Sequence, residues 1–195
     1  MDGLNATDVP GVTAPLNFLE PMAEKPVAYN YQTPPGVPPR TGRSETHSVT
    51  VHDGRAIADA LALDRQGFVL LQRPTAVRNF YDEAEIAAIY YPECERLMKE
   101  ATGAHRVVAF DHITRNAAMA AVAGSGVKMP AKRVHNDYTA KSAPQRVRDL
   151  LGDAAEERLK HRFAVINLWR PIRGPLLESP LALCDAQTLA EENLI

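Results

Sequence analysis

The sequence predicts a mixed α/β domain preceded by a proline-rich arm, and two observations support this fold class. Eight of the 15 prolines fall in residues 1–45, where the run Thr33–Pro39 suits neither a helix nor a central strand. From Ser48 onward, short apolar runs alternate with stretches of helical period. We therefore predict an arm over residues 1–45, laid across a mixed α/β domain over residues 46–195, with a disordered arm as the alternative.

The strand predictions rest on short runs of apolar and β-branched residues. The strongest is Phe163–Trp169, which is apolar at nearly every position and ends at Arg170-Pro171. The segment Arg133–Thr139 is also interpreted as a strand. Shorter strands are predicted in four further runs: 49–52, 68–71, 106–111 and 181–184.

The helix predictions rest on capping residues followed by an apolar stripe. Asp53 is expected to cap a helix that runs to Leu63, and Asp82 a longer helix that bends or breaks at Pro92. Ser142 and Gln145 match a capping box for a helix that ends near Gly152. A short helix is expected over 153–160, and a mobile loop or short helix over 117–129.

Composition narrows the classes of function. The net charge of −2 argues against a general nucleic-acid binder, which needs a concentrated excess of Lys and Arg. Cys94 and Cys184 lie far apart and are expected to be free thiols in a reducing compartment. We find neither a secretory signal nor an apolar run approaching the roughly 18 residues of a membrane span. The expected location is cytoplasmic, without membrane or nucleic-acid partners.

The tripeptide His135-Asn136-Asp137 is the main candidate for chemistry. On a strand, side chains at i and i+2 share a face, so His135 and Asp137 are expected to project side by side. An imidazole and a carboxylate are two of the three ligands in the 2-His-1-carboxylate triad of non-haem Fe(II) oxygenases. The alternative is structural: a histidine hydrogen-bonded to a nearby carboxylate in the core.

The third ligand is the weak point of this hypothesis. The chain has six histidines, and only His161 follows the tripeptide. His161 lies in a polar run that favours an exposed helix face, so it is a poor candidate. The remaining histidines are expected to be structural: His47, His52, His105 and His112. For His112, at a predicted strand end, the alternative is a place in the lining of the pocket.

Three residues near the end of the strongest predicted strand are pocket candidates, and Tyr138 joins them because it follows Asp137 directly. Alternation puts Asn167 and Trp169 on one face and Arg170 on the other. An unpartnered buried Asn costs roughly 1–3 kcal/mol, so Asn167 either bonds to nearby backbone or faces a polar pocket. Arg170 suits the carboxylate of a cosubstrate, although a surface ion pair explains it equally well.

Four linked blocks of the sequence resemble the CmcJ-like and AsaB-like hydroxylase/desaturase family, which includes the cephem 7-alpha-methoxylase component and fungal secondary-metabolite oxygenases. The resemblance covers roughly residues 45–195. The blocks are His135–Thr139, Ser142–Val147, Asn167–Ile172 and Ser179–Asp185.

The resemblance implies a mainly β fold, a partial double-stranded β-helix (jelly roll) with flanking helices. It also implies Fe(II)- and 2-oxoglutarate-dependent oxidation of a small molecule, with His135 and Asp137 as metal ligands. Family members continue further, so the chain resembles their N-terminal two thirds, and the third ligand is expected beyond Ile195. A missing closing strand would leave a sheet edge unpaired.

Three hypotheses follow from the sequence. The first is a hydroxylase or desaturase of secondary metabolism, with low activity if the chain lacks its third ligand. The second is a non-catalytic remnant of that fold that binds a small molecule or a partner. The third is a zinc-dependent hydrolase, for which no acid–base Glu stands beside a ligand pair. The sequence predicts neither the catalytic residues nor the oligomeric state.

Overall fold

The computed structural model describes residues 9–29, 31–190 and 193. The chain divides into two compact units, and each is described here by itself. The first comprises the described parts of residues 1–72, 131–136 and 179–195; the second comprises residues 73–130 and 137–178. The predicted boundary at residue 45 stays a prediction.

The first unit is built on an antiparallel pair of strands, β1 (Gly11–Leu19) and β2 (Ser44–His52). The amide of Asp53 donates to the carbonyl of Pro10, and that of Glu20 to Arg43, which fixes the phase of the ladder. Residues with even numbers on β1 therefore bond to β2. Pro15 has an odd number, so its missing amide hydrogen costs no bond to β2.

The proline-rich segment thus contributes a strand to the structure. The predicted strand over 49–52 is confirmed as the last part of β2. β1 also has a second neighbour in this unit, because Asn17 pairs with Arg133 in an isolated parallel bridge.

The predicted cap at Asp53 is confirmed, but the helix that follows is shorter than expected. The Asp53 carboxylate accepts a hydrogen bond from the amide of Arg55. The 3₁₀ helix that follows covers Gly54–Ala60 and does not extend to Leu63. None of the residues of this helix is buried, so the predicted apolar stripe gains little from packing. A second 3₁₀ turn, Ala186–Thr188, begins after Asp185.

The second unit contains the long helix predicted after Asp82. The Asp82 carboxylate accepts from the amides of Ala84 and Glu85, and α1 covers Glu83–Glu85. A π-helical turn spans Ile86–Tyr90, and α2 continues over Tyr91–Thr102 to a left-handed Gly103 at φ 70°. Pro92 lies at the start of α2, directly after the π turn, so the helix continues through the predicted break.

Three shorter helices complete the second unit: α3 (Ala117–Ala120), α4 (Ser142–Leu151) and α5 (Ala155–Leu159). A 3₁₀ turn, Gly152–Ala154, joins the last two.

The capping box before α4 differs from the predicted one. Thr139 and Ser142 exchange bonds: the amide of Thr139 donates to Ser142 Oγ at 2.9 Å, and the amide of Ser142 donates to Thr139 Oγ1 at 3.1 Å. Ser142 therefore lies at the third position, where Gln145 was expected. Gln145 instead bonds to Asp149 on the surface. The predicted end at Gly152 is confirmed.

Several predicted strands are wrong for the part of the chain that the structure describes. No strand is assigned to 68–71, 106–111, 133–139, 163–169 or 181–184. An apolar run becomes a strand only when neighbouring backbone supplies a ladder, and among the described residues only β1 and β2 do so over more than an isolated bridge. The described fold is mixed α/β, but it is not mainly β.

Burial is concentrated at few positions. Among the described residues, the buried apolar side chains are Val9 in the first unit and Val77, Ile86 and Ala155 in the second. Many large apolar side chains are instead exposed, including Trp169 at 47% and Leu177 at 84%. None of the helices in the described ranges has the length and apolar character needed to cross a bilayer.

Candidate metal site

His135 lies in the first unit, in a segment that follows the bridge to β1. The amide of Val134 donates to the carbonyl of Asn17 at 2.8 Å, and Asn17 Nδ2 donates to the carbonyl of Lys132 at 2.9 Å. These two bonds attach the segment before His135 to a strand by its backbone.

The imidazole of His135 has a defined tautomer. Its Nδ1 lies 2.7 Å from the carbonyl oxygen of Arg133, which can only accept a hydrogen bond. Nδ1 is therefore the donor of this bond, and the neutral ring in this arrangement has its lone pair on Nε2. A ring N–H bonded to a backbone carbonyl is the arrangement that orients metal-ligating histidines.

Asp137 belongs to the second unit, and its carboxylate is held by an amide. Asn167 Nδ2 donates to Asp137 Oδ2 at 2.6 Å. The sequence interpretation gave Asn167 either a backbone partner or a polar pocket, and the structure gives it a carboxylate 30 residues away. Ligating carboxylates are commonly oriented by outer hydrogen bonds of this kind.

His135 and Asp137 do not share the face of a strand, so that prediction is wrong. Neither residue lies in a strand, and the boundary between the two units falls between Asn136 and Asp137. The alternation of side chains across a strand therefore does not apply to this pair. Their roles as metal ligands stay a prediction.

Tyr138 is half-buried beside an arginine. Its hydroxyl accepts from Arg146 Nε at 3.1 Å, and its ring meets Phe110 edge-on with 6.5 Å between centroids. The Arg146 guanidinium lies 5.5 Å from the centre of the same Phe110 ring. The bond to Tyr138 raises the pKa of Arg146 above its ordinary value.

Arg170 is anchored in the second unit at two points. Its Nη2 donates to the carbonyl of Arg73 at 2.9 Å, and the guanidinium lies 5.6 Å from the centre of the Tyr90 ring. Its Nε is buried without a hydrogen-bond partner. Sequence reasoning placed Arg170 in a pocket but did not foresee Tyr90, Glu93 or Cys94 beside it. The signal was the i, i+4 spacing of Tyr90 and Cys94 on one helix.

Three of the other histidines make contacts within their own unit. In the second unit, His112 lies 2.9 Å from the Tyr91 hydroxyl through Nδ1 and 3.4 Å from Glu83 through Nε2. In the first unit, His47 bonds to Glu45 and His52 to the carbonyl of Val9, both at 2.8 Å. Across residues 9–29, 31–190 and 193, no three His, Cys, Asp or Glu side chains cluster in a way that would hold a metal.

Comparison with known proteins identifies the class. A family model described as an oxidoreductase/YMDC permease-like domain matches residues 16–195, and the chain belongs to that family. Oxidoreductase AN1597 of Emericella nidulans is 31% identical over 207 residues, covering 98% of this chain and 66% of the relative. An Fe(II)/2-oxoglutarate-dependent dioxygenase, nvfI of Aspergillus novofumigatus, is 30% identical over 185 residues, covering 91% of this chain and 65% of the relative.

The chain is also similar in fold to solved structures. A variant of the iron and alpha-ketoglutarate-dependent endoperoxidase NvfI matches 82% of this chain and 58% of its own with a TM-score of 0.67 and 26% identity. Further relatives carry the name hydroxylase/desaturase, so the resemblance predicted from the sequence blocks is confirmed. The chain spans about two thirds of the length of the two relatives described above.

Proposed function

We propose that this protein is an oxidoreductase of the Fe(II)/2-oxoglutarate-dependent hydroxylase or desaturase type. Its substrate is a small molecule of the kind found in secondary metabolism, and His135 and Asp137 are the metal ligands. The observation that carries the proposal is the 2.6 Å bond from Asn167 to the Asp137 carboxylate. A relative named for the same chemistry supports it.

The donor set suits ferrous ion. An imidazole whose Nδ1 bonds to a backbone carbonyl and a carboxylate oriented by an amide are of the two ligand types found in the facial triad. When bound, iron with 2-oxoglutarate and O₂ supplies the oxidising power to remove hydrogen from an unactivated C–H bond. The residues of this chain orient the two ligands: Arg133 through its carbonyl and Asn167 through its amide.

The remaining parts of the proposal concern the surroundings of the metal. Tyr138, Asn167, Trp169 and Arg170 are proposed to line the pocket for cosubstrate and substrate, with Arg170 as the anion-binding group. We also propose that the fold is part of a double-stranded β-helix, that residues 1–45 form an arm on a domain over 46–195, and that the protein acts in the cytoplasm. The similarity to endoperoxidase NvfI supports the fold proposal.

Metal titration tests the ligand assignment. Anaerobic Fe(II), or Co(II) followed by its visible absorption, is titrated into the wild-type protein, His135→Ala and Asp137→Ala. Both variants are expected to lose binding, because each removes one of the two proposed protein ligands. His161→Ala is the matched control, since this exposed histidine is not among the proposed ligands and its replacement leaves the titration unchanged.

Two outcomes contradict the proposal. If His135→Ala binds metal as the wild type does, the imidazole is not a ligand. If the wild type itself binds neither ion, the second hypothesis gains support: a domain that binds a small molecule or a partner without catalysis.

A further inference from the structure

Tyr138, the residue directly after Asp137, is fixed by two side chains of the second unit. Its hydroxyl accepts a hydrogen bond from Arg146 Nε at 3.1 Å, and its ring meets Phe110 edge-on. The Arg146 guanidinium also lies over the Phe110 ring, 5.5 Å from its centre. Each of the three side chains therefore contacts the other two, and the Tyr138 ring is held both at its hydroxyl and through Phe110.

Thr139, the next residue, is attached to the same helix as Tyr138. The Thr139 amide donates to Ser142 Oγ, and the Ser142 amide donates to Thr139 Oγ1. Arg146 lies four residues after Ser142 on α4, so the two residues are neighbours on the helix surface. The chain that leaves Asp137 is thus bound to α4 twice, once by the cap and once by the arginine.

Apolar burial gives this arrangement little support. None of the residues of α4 is buried, and Phe110 is 37% exposed. Long side chains at such positions lose rotamer freedom when they are ordered, and this loss has to be offset by specific contacts. The bond from Arg146 to Tyr138 is such a contact, because it is directional and joins α4 to the residue beside Asp137.

The position of the Asp137 carboxylate depends on both ends of its residue. Asn167 Nδ2 donates to Oδ2 at 2.6 Å, which holds the outer end of the side chain. The main chain of Asp137 continues into Tyr138, so a rotation of the Tyr138 backbone would displace the carboxylate from Asn167. Hydrogen bonds weaken steeply away from their preferred geometry, so even a small displacement matters.

We propose that Arg146 is a positioning residue for Asp137. By holding the Tyr138 ring against Phe110, it sets where the Asp137 carboxylate stands at the proposed metal site. Arg146 acts here through Tyr138 and not on the metal or the substrate. The proposal rests on the proposed function in one respect, namely that Asp137 is a metal ligand.

The side-chain amide of Asn167 reports on the Asp137 carboxylate without any metal. Its pair of Nδ2 signals in ¹H–¹⁵N NMR is assigned by its disappearance in Asn167→Ala. We expect this pair to move in Arg146→Ala, because the Tyr138 ring is then released. It should also move in Tyr138→Phe, which keeps the ring and removes only the oxygen that accepts from Arg146.

Arg148→Ala is the matched control. It removes a guanidinium from the same helix, but Arg148 Nε bonds to Glu156 at 2.6 Å on the surface, so the Asn167 signals should keep their wild-type positions. The double variant Arg146→Ala/Tyr138→Phe should move these signals no further than Arg146→Ala alone. The reason is that both changes break the same bond, and changes to a shared contact are not additive.

Co(II) titration gives the magnitude at the metal site. The affinity of Arg146→Ala is expected to fall by about three- to tenfold, less than for direct partners of a ligand, because Arg146 is one step further away. Arg146→Lys keeps the charge and can still donate to Tyr138, so it should recover part of the affinity and of the wild-type Co(II) absorption band. Arg148→Ala should titrate as the wild type does.

Unmoved Asn167 signals in Arg146→Ala, or equal movement in Arg148→Ala, overturn the proposal whatever the metal titration gives. Equal Co(II) affinity of the wild type and Arg146→Ala overturns it as well. If the signals move but the wild type binds no metal, Arg146 does position Asp137, and it is the proposed function that fails. Tyr138→Phe decides the question if Arg146→Ala does not fold.

Discussion

The β1–β2 pair and the segment 163–170 behave in opposite ways. β1 contains Pro15 and lies in the part of the sequence least suited to strands, yet it pairs with β2 over nine residues. The segment 163–170 has the strongest strand composition, yet it forms no ladder among the described residues. Side chains hold it instead, through Asn167 to Asp137 and Arg170 to Arg73.

The difference shows that composition does not decide strand formation. β1 forms because the amide that proline lacks points away from β2, and because β2 supplies a matching set of donors and acceptors. Apolar composition favours extended backbone but supplies no partner for it. Loss of a backbone hydrogen bond between β1 and β2 should therefore lower the stability of the first unit. In the segment 163–170, by contrast, replacing one side chain should change only the contact that this side chain makes.

The largest effect is expected from Val49→Pro. Val49 pairs with Ala14 in the bonded phase of the ladder, so proline removes a donor and leaves the Ala14 carbonyl unsatisfied. The loss is roughly 2–3 kcal/mol of unfolding free energy. Urea denaturation followed by circular dichroism measures it.

Ser48→Pro is the control for that change. Ser48 pairs with Pro15 in the opposite phase, so its amide points away from β1 and the ladder keeps all its bonds. Equal destabilisation by the two prolines would mean that backbone rigidity, rather than the ladder bond, causes the loss.

Asn167→Ala tests whether a single side chain in the other region carries its function. Removing the amide that orients Asp137 is expected to weaken metal binding about 10- to 100-fold, as loss of outer-shell partners does. Gln145→Ala removes a similar amide–carboxylate bond, to Asp149 at 2.9 Å, on exposed helix α4. Unchanged metal affinity in Asn167→Ala, or an equal loss in Gln145→Ala, would contradict the assigned role.

The same contrast explains how much the sequence predicted. Helix starts at Asp53 and Asp82 are local events between a carboxylate and amides two or three residues later, so they are readable from sequence. Strands depend on partners that are distant in sequence, and most of those predictions were wrong.

In the candidate site, too, the sequence predicted neighbouring residues but not contacts between distant ones. His135 and Asp137 were chosen from the motif and from family resemblance, and the bond from Asn167 was invisible because it joins residues 30 positions apart. The neighbours of Arg170 were missed for a similar reason. Tyr90 and Cys94 come from a helical segment about 80 residues earlier in the chain.

Asp82→Ala tests the contribution of a helix cap, an interaction between residues that are close in sequence. The change removes the acceptor for the amides of Ala84 and Glu85 and is expected to cost about 1 kcal/mol in unfolding free energy. Asp59→Ala, at an exposed position in the 3₁₀ helix of the first unit, is the control. If Asp82→Ala lowers the unfolding free energy more than Val49→Pro does, capping of this helix contributes more to stability than the ladder bond at Val49.

The smallest effect is a dependence of stability on pH at Glu93. The hydrogen bond from Thr75, and then that from Ala76, lower the pKa of this carboxyl below its ordinary 4.5. The folded protein therefore prefers the carboxylate, so the stabilisation is complete well above pH 4.5 and is lost as the pH falls below that value. Because Glu93 is partly solvated, the effect should stay under about 1 kcal/mol.

Glu93→Gln should accordingly flatten the fall in unfolding free energy on acidification from neutral pH, as measured by urea denaturation at a series of pH values. Glu100→Gln removes a carboxylate from the same helix, and no hydrogen bond from Thr75 or Ala76 reaches that residue, so its slope should follow the wild type. If the slope for Glu93→Gln also matches the wild type, the two hydrogen bonds to Glu93 do not couple to folding.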